Sequence, residues 1–281
     1  MKTKRTALAV ILAMVMAFAM VALAGCGKSS SSSSSSATPT AQPTGEELIV
    51  GFDQEYPPYG YIANDGSYTG FDLDLAQEVC NRLGWTYKAM PIDWDSKDAQ
   101  LNADTISCIW NGFTMEGREG QYAFSEPYML NEQVIVVKAD SGIQSLSDLE
   151  GKIVMTQTES AAQTVLEDEE GQKALADTFQ ELQTIGDYNS AFMNLESGSV
   201  DAVACDLSIA AYQLSANPGK YTQLGESLSS EHYAVGFKLG NEEKAQKVTD
   251  TLKAMYADGT VAKIIDKYAD QGMTIDNWVL K

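Results

Sequence analysis

The sequence predicts an α/β fold with two lobes that are connected by two strands. Short apolar runs alternate with amphipathic helical stretches from residue 45 to the C-terminus, and this alternation is typical of mostly parallel sheets flanked by helices. Two groups of strand–helix units, each about 90 residues long, precede a tail of about 50 residues. Because the tail has too few strands for a domain of its own, we expect it to pack on the first group. The chain would then cross between the lobes twice, near residues 134–138 and 230–236.

The N-terminal residues have the features of an export signal. Three basic residues within the first five precede an apolar stretch at residues 7–24. A single membrane span is the alternative, since about 18 apolar residues can just cross a bilayer. However, Leu23-Ala24-Gly25-Cys26 resembles the bacterial lipobox, in which the cysteine is acylated and the preceding peptide is cleaved. We therefore predict a signal peptide at residues 1–25 and a lipid on Cys26, which would hold the protein on the outer face of the cell membrane.

Residues 26–44 are predicted to form a flexible linker. An unbroken serine run, Ser29–Ser36, precedes a segment rich in Thr, Pro and Ala, and neither has side chains that could build a core. The globular part should therefore begin at about residue 45. We predict that residues 45–135 and 231–281 form the first lobe and that residues 136–230 form the second.

Charge and cysteine content exclude several kinds of partner. The formal net charge of −20 argues against nucleic acid and against direct docking on anionic lipid. Besides Cys26, the chain has Cys80, Cys108 and Cys205, each in an apolar context typical of a buried thiol. A disulfide between Cys80 and Cys108 is the alternative, because an exported protein can form one. The odd cysteine count argues against a zinc site, and we predict no metal and no cofactor.

Strands and helices of the first lobe follow from hydrophobic periodicity. A helix that is capped by Asp72 and ended by Gly84 carries an apolar stripe through Leu75 and Val79,. Continuous apolar runs predict strands that are covered on both faces. We expect strands at residues 48–52, 85–90, 106–110, 132–138 and 232–238, and further helices at 96–103, 242–257 and 260–268.

The second lobe shows the same alternation. Ser145 and Gly151 delimit a short helix, Ser160 begins another, and Asp187 caps a third,. The remaining elements are expected as strands at residues 153–156, 179–185 and 200–205, and as a helix at 207–214. No internal repeat and no phosphate-binding glycine loop is present.

A polar turn after residue 110 carries the first candidate binding residues. It places the Thr114 hydroxyl four residues before Arg118. The planar fork of an arginine matches a carboxylate through two parallel hydrogen bonds. We interpret Arg118 as the group that binds the carboxylate of a small zwitterion. A surface ion pair is the alternative, since most isolated arginines form one.

Three more residues are candidates by their position in the sequence. Asp206 follows the apolar strand 200–205, at the end of the strand where α/β sheets bind ligands, although it could merely cap the next helix. Tyr56 and Trp94 lie in loops rich in Pro or Asp. Because they are not part of a periodic apolar stripe, we interpret them as pocket walls rather than core aromatics.

Five short motifs occur in an order that is typical of one protein family. They are Gly70-Phe71-Asp72-Leu73-Asp74-Leu75, Asn111-Gly112-Phe113-Thr114 with Arg118, Phe124-Ser125-Glu126-Pro127-Tyr128, Ser147-Asp148-Leu149-Glu150-Gly151-Lys152 and Gly198-Ser199-Val200-Asp201-Ala202. Over about residues 45–270 the chain resembles the polar amino-acid binding proteins of ABC importers. This resemblance implies the type II periplasmic-binding fold, with two lobes, a two-strand hinge and a ligand in the cleft.

The resemblance also implies roles for individual residues. Arg118 would bind the ligand α-carboxylate with Thr114 and with the backbone N–H groups of Ser160 and Ala161, and Asp206 would bind the α-ammonium group. The Gly112 carbonyl would also contact the ammonium group. Tyr56 and Trp94 would cover the ligand side chain from both sides, and Asp53 would select among ligand side chains.

The sequence departs from the family pattern in three places. The loop from Gly112 to Arg118 is one residue shorter than the commonest form, Glu159 occupies a position where Gly is usual, and Trp94 replaces a commoner Phe. These departures suggest a pocket with its own side-chain preference. A cationic amino acid, glutamine and cystine all remain compatible with the sequence.

The function predicted from the sequence is capture of an extracytoplasmic amino acid and its delivery to an ABC permease, without catalysis. His232 is the only histidine, and no nucleophile motif accompanies it, so a structural role is favoured. One alternative is a cyclohexadienyl dehydratase on the same fold, in which a carboxylate would serve as general acid. The other is a ligand-sensing ectodomain that acts with a separate signalling partner.

Overall fold

The computed structural model describes residues 45–281. The predicted signal peptide, the linker and Cys26 lie outside the described residues. Thirteen strands are present in the described part: β1 (Glu47–Phe52), β2 (Glu55–Tyr56), β3 (Gly60–Ile62), β4 (Tyr68–Thr69), β5 (Thr86–Pro91), β6 (Cys108–Ile109), β7 (Ala123–Phe124), β8 (Met129–Lys138), β9 (Ile153–Gln157), β10 (Glu181–Ile185), β11 (Ala202–Asp206), β12 (Tyr221–Tyr233) and β13 (Gly236–Phe237).

Helices cover most of the chain between these strands. The α-helices of the described part are α1 (Phe71–Leu83), α2 (Lys97–Asn102), α3 (Ala161–Glu167), α4 (Lys173–Ala176), α5 (Tyr188–Ser197), α6 (Leu207–Ala216), α7 (Glu242–Ala257) and α8 (Thr260–Asp266). Short 3₁₀ turns occur at Trp94–Ser96, Leu146–Leu149, Ala269–Gln271 and Ile275–Asn277. Of the helices in residues 45–281, none combines the length and the apolar character that a membrane crossing requires.

Two five-stranded sheets form the centres of the two lobes. The first-lobe sheet has the order β5-β1-β6-β13-β7, and the second-lobe sheet has the order β10-β9-β11-β8-β12. In each sheet four strands run in one direction, because β13 is antiparallel to both its neighbours and so is β8. The predicted α/β fold with mostly parallel sheets is therefore confirmed. A small third sheet, β2-β3-β4, lies outside both.

The chain passes between the two sheets at two points. It leaves the first sheet after β7 and enters the second at β8, and it returns after β12 at residues 234–235. The strands β8 and β12 pair antiparallel over most of their length, with irregular register between Gln223 and Ser229. Both connections therefore enter or leave the second sheet through adjacent strands, which is the arrangement of a two-strand hinge.

The predicted last strand, 232–238, is wrong in its extent. The structure has a thirteen-residue strand, β12, that ends at Tyr233, and a separate two-residue strand, β13, in the other sheet. β12 is largely polar and lies at the edge of its sheet. An edge strand has one face and one side in contact with solvent, so its sequence lacks the apolar run that identifies buried strands.

Helix ends follow the predicted capping signals in most cases. Gly84 ends α1 in the left-handed conformation, and the Asp187 side chain accepts a hydrogen bond from the backbone N–H of Ser190 at the start of α5. The prediction that Asp72 caps α1 is wrong, because Gly70 occupies the cap position. Asp72 lies inside the first turn and is fully buried, where it binds other parts of the first lobe.

Both lobes are built on buried apolar side chains. Phe52, Phe71 and Trp110 are among the fully buried side chains of the first lobe, and Val154 and Ala204 belong to the core of the second. Burying one such large side chain stabilises a fold by about 1.5–3 kcal/mol. Cys80, Cys108 and Cys205 are buried free thiols, so the alternative of a Cys80–Cys108 disulfide is wrong and the interpretation as small apolar core residues is confirmed.

Candidate functional site

A cavity lies between the two lobes, near the ends of β6, β9 and β11. Its free volume is about 10 Å³, so the two lobes lie close together around it. Eight of the nine predicted ligand-binding residues line it, and Gln157 is the ninth lining residue: the set is Tyr56, Trp94, Gly112, Thr114, Arg118, Gln157, Ser160, Ala161 and Asp206. Carboxyl ends of parallel strands are the usual ligand-binding edge of an α/β sheet, and here the edges of two sheets face each other.

Arg118 lies at this cavity without a carboxylate partner from the described chain. Its Nη1 donates to the Thr114 carbonyl at 3.0 Å, and its Nη2 donates to the Glu159 carbonyl at 3.4 Å. The guanidinium carbon is 4.9 Å from the centre of the Phe113 ring. None of the ion pairs among residues 45–281 involves Arg118. A fixed guanidinium without a protein anion is suited to an anionic ligand group.

Asp206 is the last residue of β11 and is held at one carboxylate oxygen. Its Oδ1 accepts hydrogen bonds from Asn131 Nδ2 at 2.9 Å, from Gln133 Nε2 at 2.6 Å and from the Tyr233 hydroxyl at 2.9 Å. Burial raises the pKa of Asp206, and these donors oppose the increase. The three bonds orient the carboxylate but bring no positive charge, so a ligand cation would complete its electrostatic environment.

Thr114 interacts with a carboxylate that the sequence did not identify. Its hydroxyl donates to Glu231 Oε1 at 2.7 Å, and both residues are buried. A hydroxyl has one proton to donate and two lone pairs that accept. While its proton is directed to Glu231, Thr114 can only accept hydrogen bonds from the cavity, which suits an ammonium group better than the carboxylate that the resemblance implied.

Gly112 has a backbone geometry that favours glycine. Its φ angle is 57°, and a Cβ atom at this position would lie 3.0 Å from Tyr56 and 3.1 Å from Tyr233. Its N–H donates to Asp72 Oδ2 at 2.7 Å, and the Tyr128 hydroxyl donates to the same carboxylate. Burial raises the pKa of Asp72 to about 7. Asp72 therefore fixes the start of the loop that carries Thr114 and Arg118.

The other end of that short loop is attached to the hinge. Glu116 Oε1 is 2.7 Å from Nδ1 of His232, and its Oε2 accepts from the His232 backbone N–H at 2.8 Å. His232 thus has a structural contact on β12, as the sequence favoured. The loop between Gly112 and Arg118 is held from the first lobe and from β12 at the same time.

Ser160 and Ala161 lie where β9 leads into α3. The Ser160 hydroxyl accepts the Gln163 N–H as the helix cap, and its own N–H donates to the Gln157 carbonyl at a long 3.3 Å. The preceding residue, Glu159, has a φ angle of 56°, a left-handed conformation in which glycine is favoured. Glu159 Oε2 accepts from Lys97 Nζ of the first lobe at 2.7 Å.

The two predicted aromatic walls both reach the cavity. Tyr56 is buried, and its hydroxyl is 3.3 Å from that of Tyr233. Trp94 lies in the 3₁₀ turn before α2, and Lys97 Nζ is 5.3 Å from the centre of its ring. Both rings also pack in apolar clusters: the Tyr56 ring centre is 6.0 Å from that of Tyr188 of the second lobe, and the Trp94 ring centre is 5.8 Å from that of Phe113 of the first. Each side chain is thus a cavity wall and part of a buried cluster at once.

Asp53 is the one predicted residue that does not line this cavity. It accepts from Gln157 Nε2 of the second lobe at 2.6 Å, and burial raises its pKa to about 6. It lines a neighbouring cavity together with Trp94 and four more acidic residues, Glu55, Asp93, Asp95 and Asp187. No lysine or arginine is among the lining residues. The two cavities thus adjoin at Trp94, and the second is acidic.

Sequence reasoning missed Gln157, Asn131, Gln133 and Glu231. The last three interact through two amide groups: Asn131 Nδ2 and Gln133 Nε2 each donate to Asp206 Oδ1 and to Glu231 Oε1. A signal for two of them exists, because Asn131 and Gln133 are polar residues on one face of an otherwise apolar strand,. Among residues 45–281 no group of three or more metal-ligating side chains is present.

Comparison with known proteins agrees with this geometry. The model of a family described as bacterial extracellular solute-binding proteins, family 3, matches residues 48–271. The L-cystine-binding protein TcyJ of Escherichia coli (strain K12) is 28% identical over 230 residues, which are 81% of this chain and 84% of the relative. The ABC transporter arginine-binding protein 1 of the same strain is 25% identical over 233 residues, 80% of this chain and 92% of the relative.

A solved structure is similar over nearly the same length. It is an ABC uptake transporter substrate-binding protein from Streptococcus pneumoniae with bound histidine. Its sequence is 33% identical, the alignment covers 79% of this chain and 92% of the other, and the TM-score is 0.76. This chain therefore shares the two-lobed architecture of that structure as well as part of its sequence.

Proposed function

This chain belongs to the bacterial extracellular solute-binding proteins of family 3, and from this premise we propose that it binds a free α-amino acid between its lobes and delivers it to an ABC importer. The observation that carries the proposal is the pairing of Arg118 and Asp206 at one interlobe cavity. An α-amino acid has a carboxylate and an ammonium group on one carbon atom. A guanidinium and a carboxylate that line the same small space are complementary to it.

The strength of this recognition depends on the exclusion of water. Asp206 is buried, and Arg118 is held by two backbone carbonyls. Charge–charge interactions in such a site are stronger than at a surface, because the effective dielectric constant is lower. In the proposed complex Arg118 binds the carboxylate, Asp206 and Thr114 accept from the ammonium group, and Tyr56 and Trp94 cover the side chain.

Cleft closure is the proposed mechanism of capture. The lobes contact each other directly through the Asp53–Gln157 hydrogen bond, the Glu55–Asn189 hydrogen bond and the Lys97–Glu159 ion pair. A ligand that contacts both lobes binds the closed form more tightly than the open form and shifts the population towards it. A permease could then distinguish the loaded from the empty protein by its shape.

A cationic side chain is the preferred one in this proposal. The cavity next to Trp94 is lined by five carboxylates and by no basic residue, so its potential favours positive charge. Relatives named for arginine, cystine and histidine binding are compatible with several ligands. The acidic lining supports arginine or lysine over cystine or glutamine for this chain.

The proposed location is the outer face of the cell membrane. The family is one of extracellular proteins, and the Leu23–Cys26 motif supports removal of residues 1–25 and attachment of a lipid to Cys26. The proposed lobes are residues 45–135 with 231–281, and residues 136–230. The changes of sheet membership, at residues 125–128 before β8 and at 234–235 after β12, support a division into two lobes close to these bounds.

A ligand panel tests the proposal. Thermal shift with the twenty amino acids, ornithine and cystine should show stabilisation by arginine or lysine, because a ligand that binds only the folded protein raises its melting temperature. Stabilisation by none of them would contradict the proposal, and so would turnover of prephenate or arogenate by the protein.

Arginine variants identify the carboxylate contact. Arg118→Ala should weaken binding at least about 100-fold, because it leaves the ligand carboxylate without its partner in a buried site. Arg82→Ala is the matched control, since Arg82 pairs with Glu78 and Asp258 away from the cavity. Equal affinities of both variants would show that the carboxylate is bound elsewhere.

Asp53→Asn should weaken arginine binding more than glutamine binding.

A further inference from the structure

Two carboxylates, Asp206 at the cavity and Glu231 next to it, are held together without a cation. Asn131 Nδ2 is 2.9 Å from Asp206 Oδ1 and 2.8 Å from Glu231 Oε1, and the corresponding distances from Gln133 Nε2 are 2.6 and 2.7 Å. Because each nitrogen is bonded to both oxygens, the carboxylates lie within the roughly 6 Å at which like charges disfavour each other's ionisation.

The environment of this pair is almost free of water. Asp206 is 4% exposed and Glu231 is 3% exposed. Neither takes part in an ion pair among the described residues. Burial raises the pKa of both, and the neighbouring Asp206 raises that of Glu231 further. Two buried carboxylates without a cation are stabilised when they hold one proton between them.

The side-chain amides of Asn131 and Gln133 are oriented by the two carboxylates. Each amide group directs one N–H to each carboxylate, so Asn131 and Gln133 use both of their donors. The Gln133 carbonyl oxygen is buried and has no hydrogen-bond partner among the described residues. Its orientation is thus determined by the two acceptors, and reversing the amide would place its oxygen against both carboxylates.

The other titratable groups around Asp206 and Glu231 do not supply a charge that would replace the shared proton. Tyr56, Tyr59, Tyr188 and Tyr233 face it, and burial raises the pKa of each well above its usual value, so they remain neutral. Burial also raises the pKa of Cys205, which precedes Asp206. Besides Asp206, Arg118 is the charged residue that lines the cavity, and the proposed ligand carboxylate neutralises it. Glu231 also borders a neighbouring cavity, whose charged lining residues include Lys97, Asp98, Glu116 and Glu159; there Lys97 is paired with Glu159.

We propose that Glu231 shares one proton with Asp206 when the site is empty, and that the ligand ammonium group replaces this proton. The inference rests on the proposed amino-acid binding. On binding, the proton leaves the pair for solvent, and the ammonium N–H groups take its place at two ionised carboxylates. Glu231 is thus a positioning residue that sets the pH range of binding through Asp206 and directs the Thr114 hydroxyl.

Calorimetry tests the exchange of the proton. Titration of the amino acid that gives the largest thermal shift, in two buffers of different ionisation enthalpy, should show the release of up to one proton. Below the pH at which the pair loses its proton, the dissociation constant should rise up to tenfold per pH unit. Glu231→Gln should move that pH downwards, since Asp206 no longer has a like charge beside it.

A neighbour on β8 provides the control. Glu132 lies between Asn131 and Gln133, and its carboxylate contacts Ser227 and points away from the pair. Glu132→Gln should therefore leave the pH dependence of ligand binding unchanged. Amino-acid binding without proton release, or identical profiles for wild type and Glu231→Gln, would overturn the inference and leave the proposed function intact. Failure of all amino acids to bind would overturn both.

A direct measurement does not depend on any ligand or variant. Carbon-13 resonances of the side-chain carboxyl groups in the free wild-type protein should show Asp206 and Glu231 titrating together, with the second step above the ordinary carboxyl range. Two independent titrations in the ordinary range would contradict a shared proton even if Glu231→Gln failed to fold.

Discussion

Lys97 Nζ of the first lobe is 2.7 Å from Glu159 Oε2 of the second. The Lys97 side chain is 3% exposed, and its ammonium group also lies over Trp94, at 5.3 Å from the ring centre. Glu159 is half exposed and immediately precedes the candidate anion-binding turn at Ser160. One ion pair thus connects an aromatic wall of the cavity to the opposite lobe.

Removal of this pair should weaken ligand binding without abolishing it. Glu159→Gln keeps the size of the side chain but removes its charge, and a partly exposed ion pair contributes about 0.2–1 kcal/mol. Because the pair forms only between closed lobes, we expect an affinity loss of up to about fivefold, measured by calorimetry at low salt. The loss should shrink in high salt, where screening reduces the contribution of the pair.

Glu159→Gly distinguishes the effect of the ion pair from the effect of the backbone conformation. The φ angle of 56° disfavours a residue with a Cβ atom, by roughly 1 kcal/mol. The glycine variant should therefore show the same loss of affinity as Glu159→Gln together with a higher melting temperature. Unchanged affinity in both variants would show that the pair plays no part in closure.

Protonation of Asp72 should make the protein more stable in mild acid. Its pKa is raised by burial from 3.8 to about 7, so the folded protein binds this proton more tightly than the unfolded chain. The stabilisation is complete below about pH 4 and is lost as the pH rises through about 7. Between pH 5 and pH 8 the wild type should lose about 3 kcal/mol more of its unfolding free energy than Asp72→Asn.

Urea unfolding at the two pH values measures this difference. Asp72→Asn removes the ionisation and keeps an acceptor for the Gly112 N–H. Parallel pH dependence in the two proteins would show that Asp72 is ionised throughout, despite its burial.

The three cysteines of the described part should be inert in the native protein. Burial raises the pKa of Cys80 to about 12 and that of Cys108 well above its usual value, and the thiolate is the reactive form. A thiol reagent at pH 8 should label Cys80, Cys108 and Cys205 only after denaturation, as read by mass spectrometry. Rapid native labelling, or a mass that indicates an oxidised pair, would contradict the free buried thiols.

Much of the fold could be predicted because its signals are local. Helix α7 begins and ends at the predicted residues, 242 and 257, since one apolar stripe and strong helix-forming residues coincide there. The ends of the parallel strands were also predictable, and Asp206 was identified from its position after one of them. Asp53 and Gly112 were candidates because of the family resemblance.

The parts that could not be predicted depend on long-range pairing. β12 is polar, and only its pairing with β8 makes it a strand. The Glu231–Gln133 contact joins residues that are 98 positions apart, and it depends on the register of two strands. A one-residue shift would turn either side chain to the other face of the sheet, so the contact of Glu231 with the two amides has no signature in the sequence.

The position of β13 has a consequence for the order in which the lobes can fold. Strand β7 lies at the edge of the first sheet, and its neighbour there is β13, more than 100 residues later in the chain. All strands of the second sheet lie between Met129 and Tyr233. The second lobe is thus contiguous and can fold as soon as that segment is available, whereas the first sheet must close a long loop first. The lobe that begins the chain is therefore the one that the chain completes last.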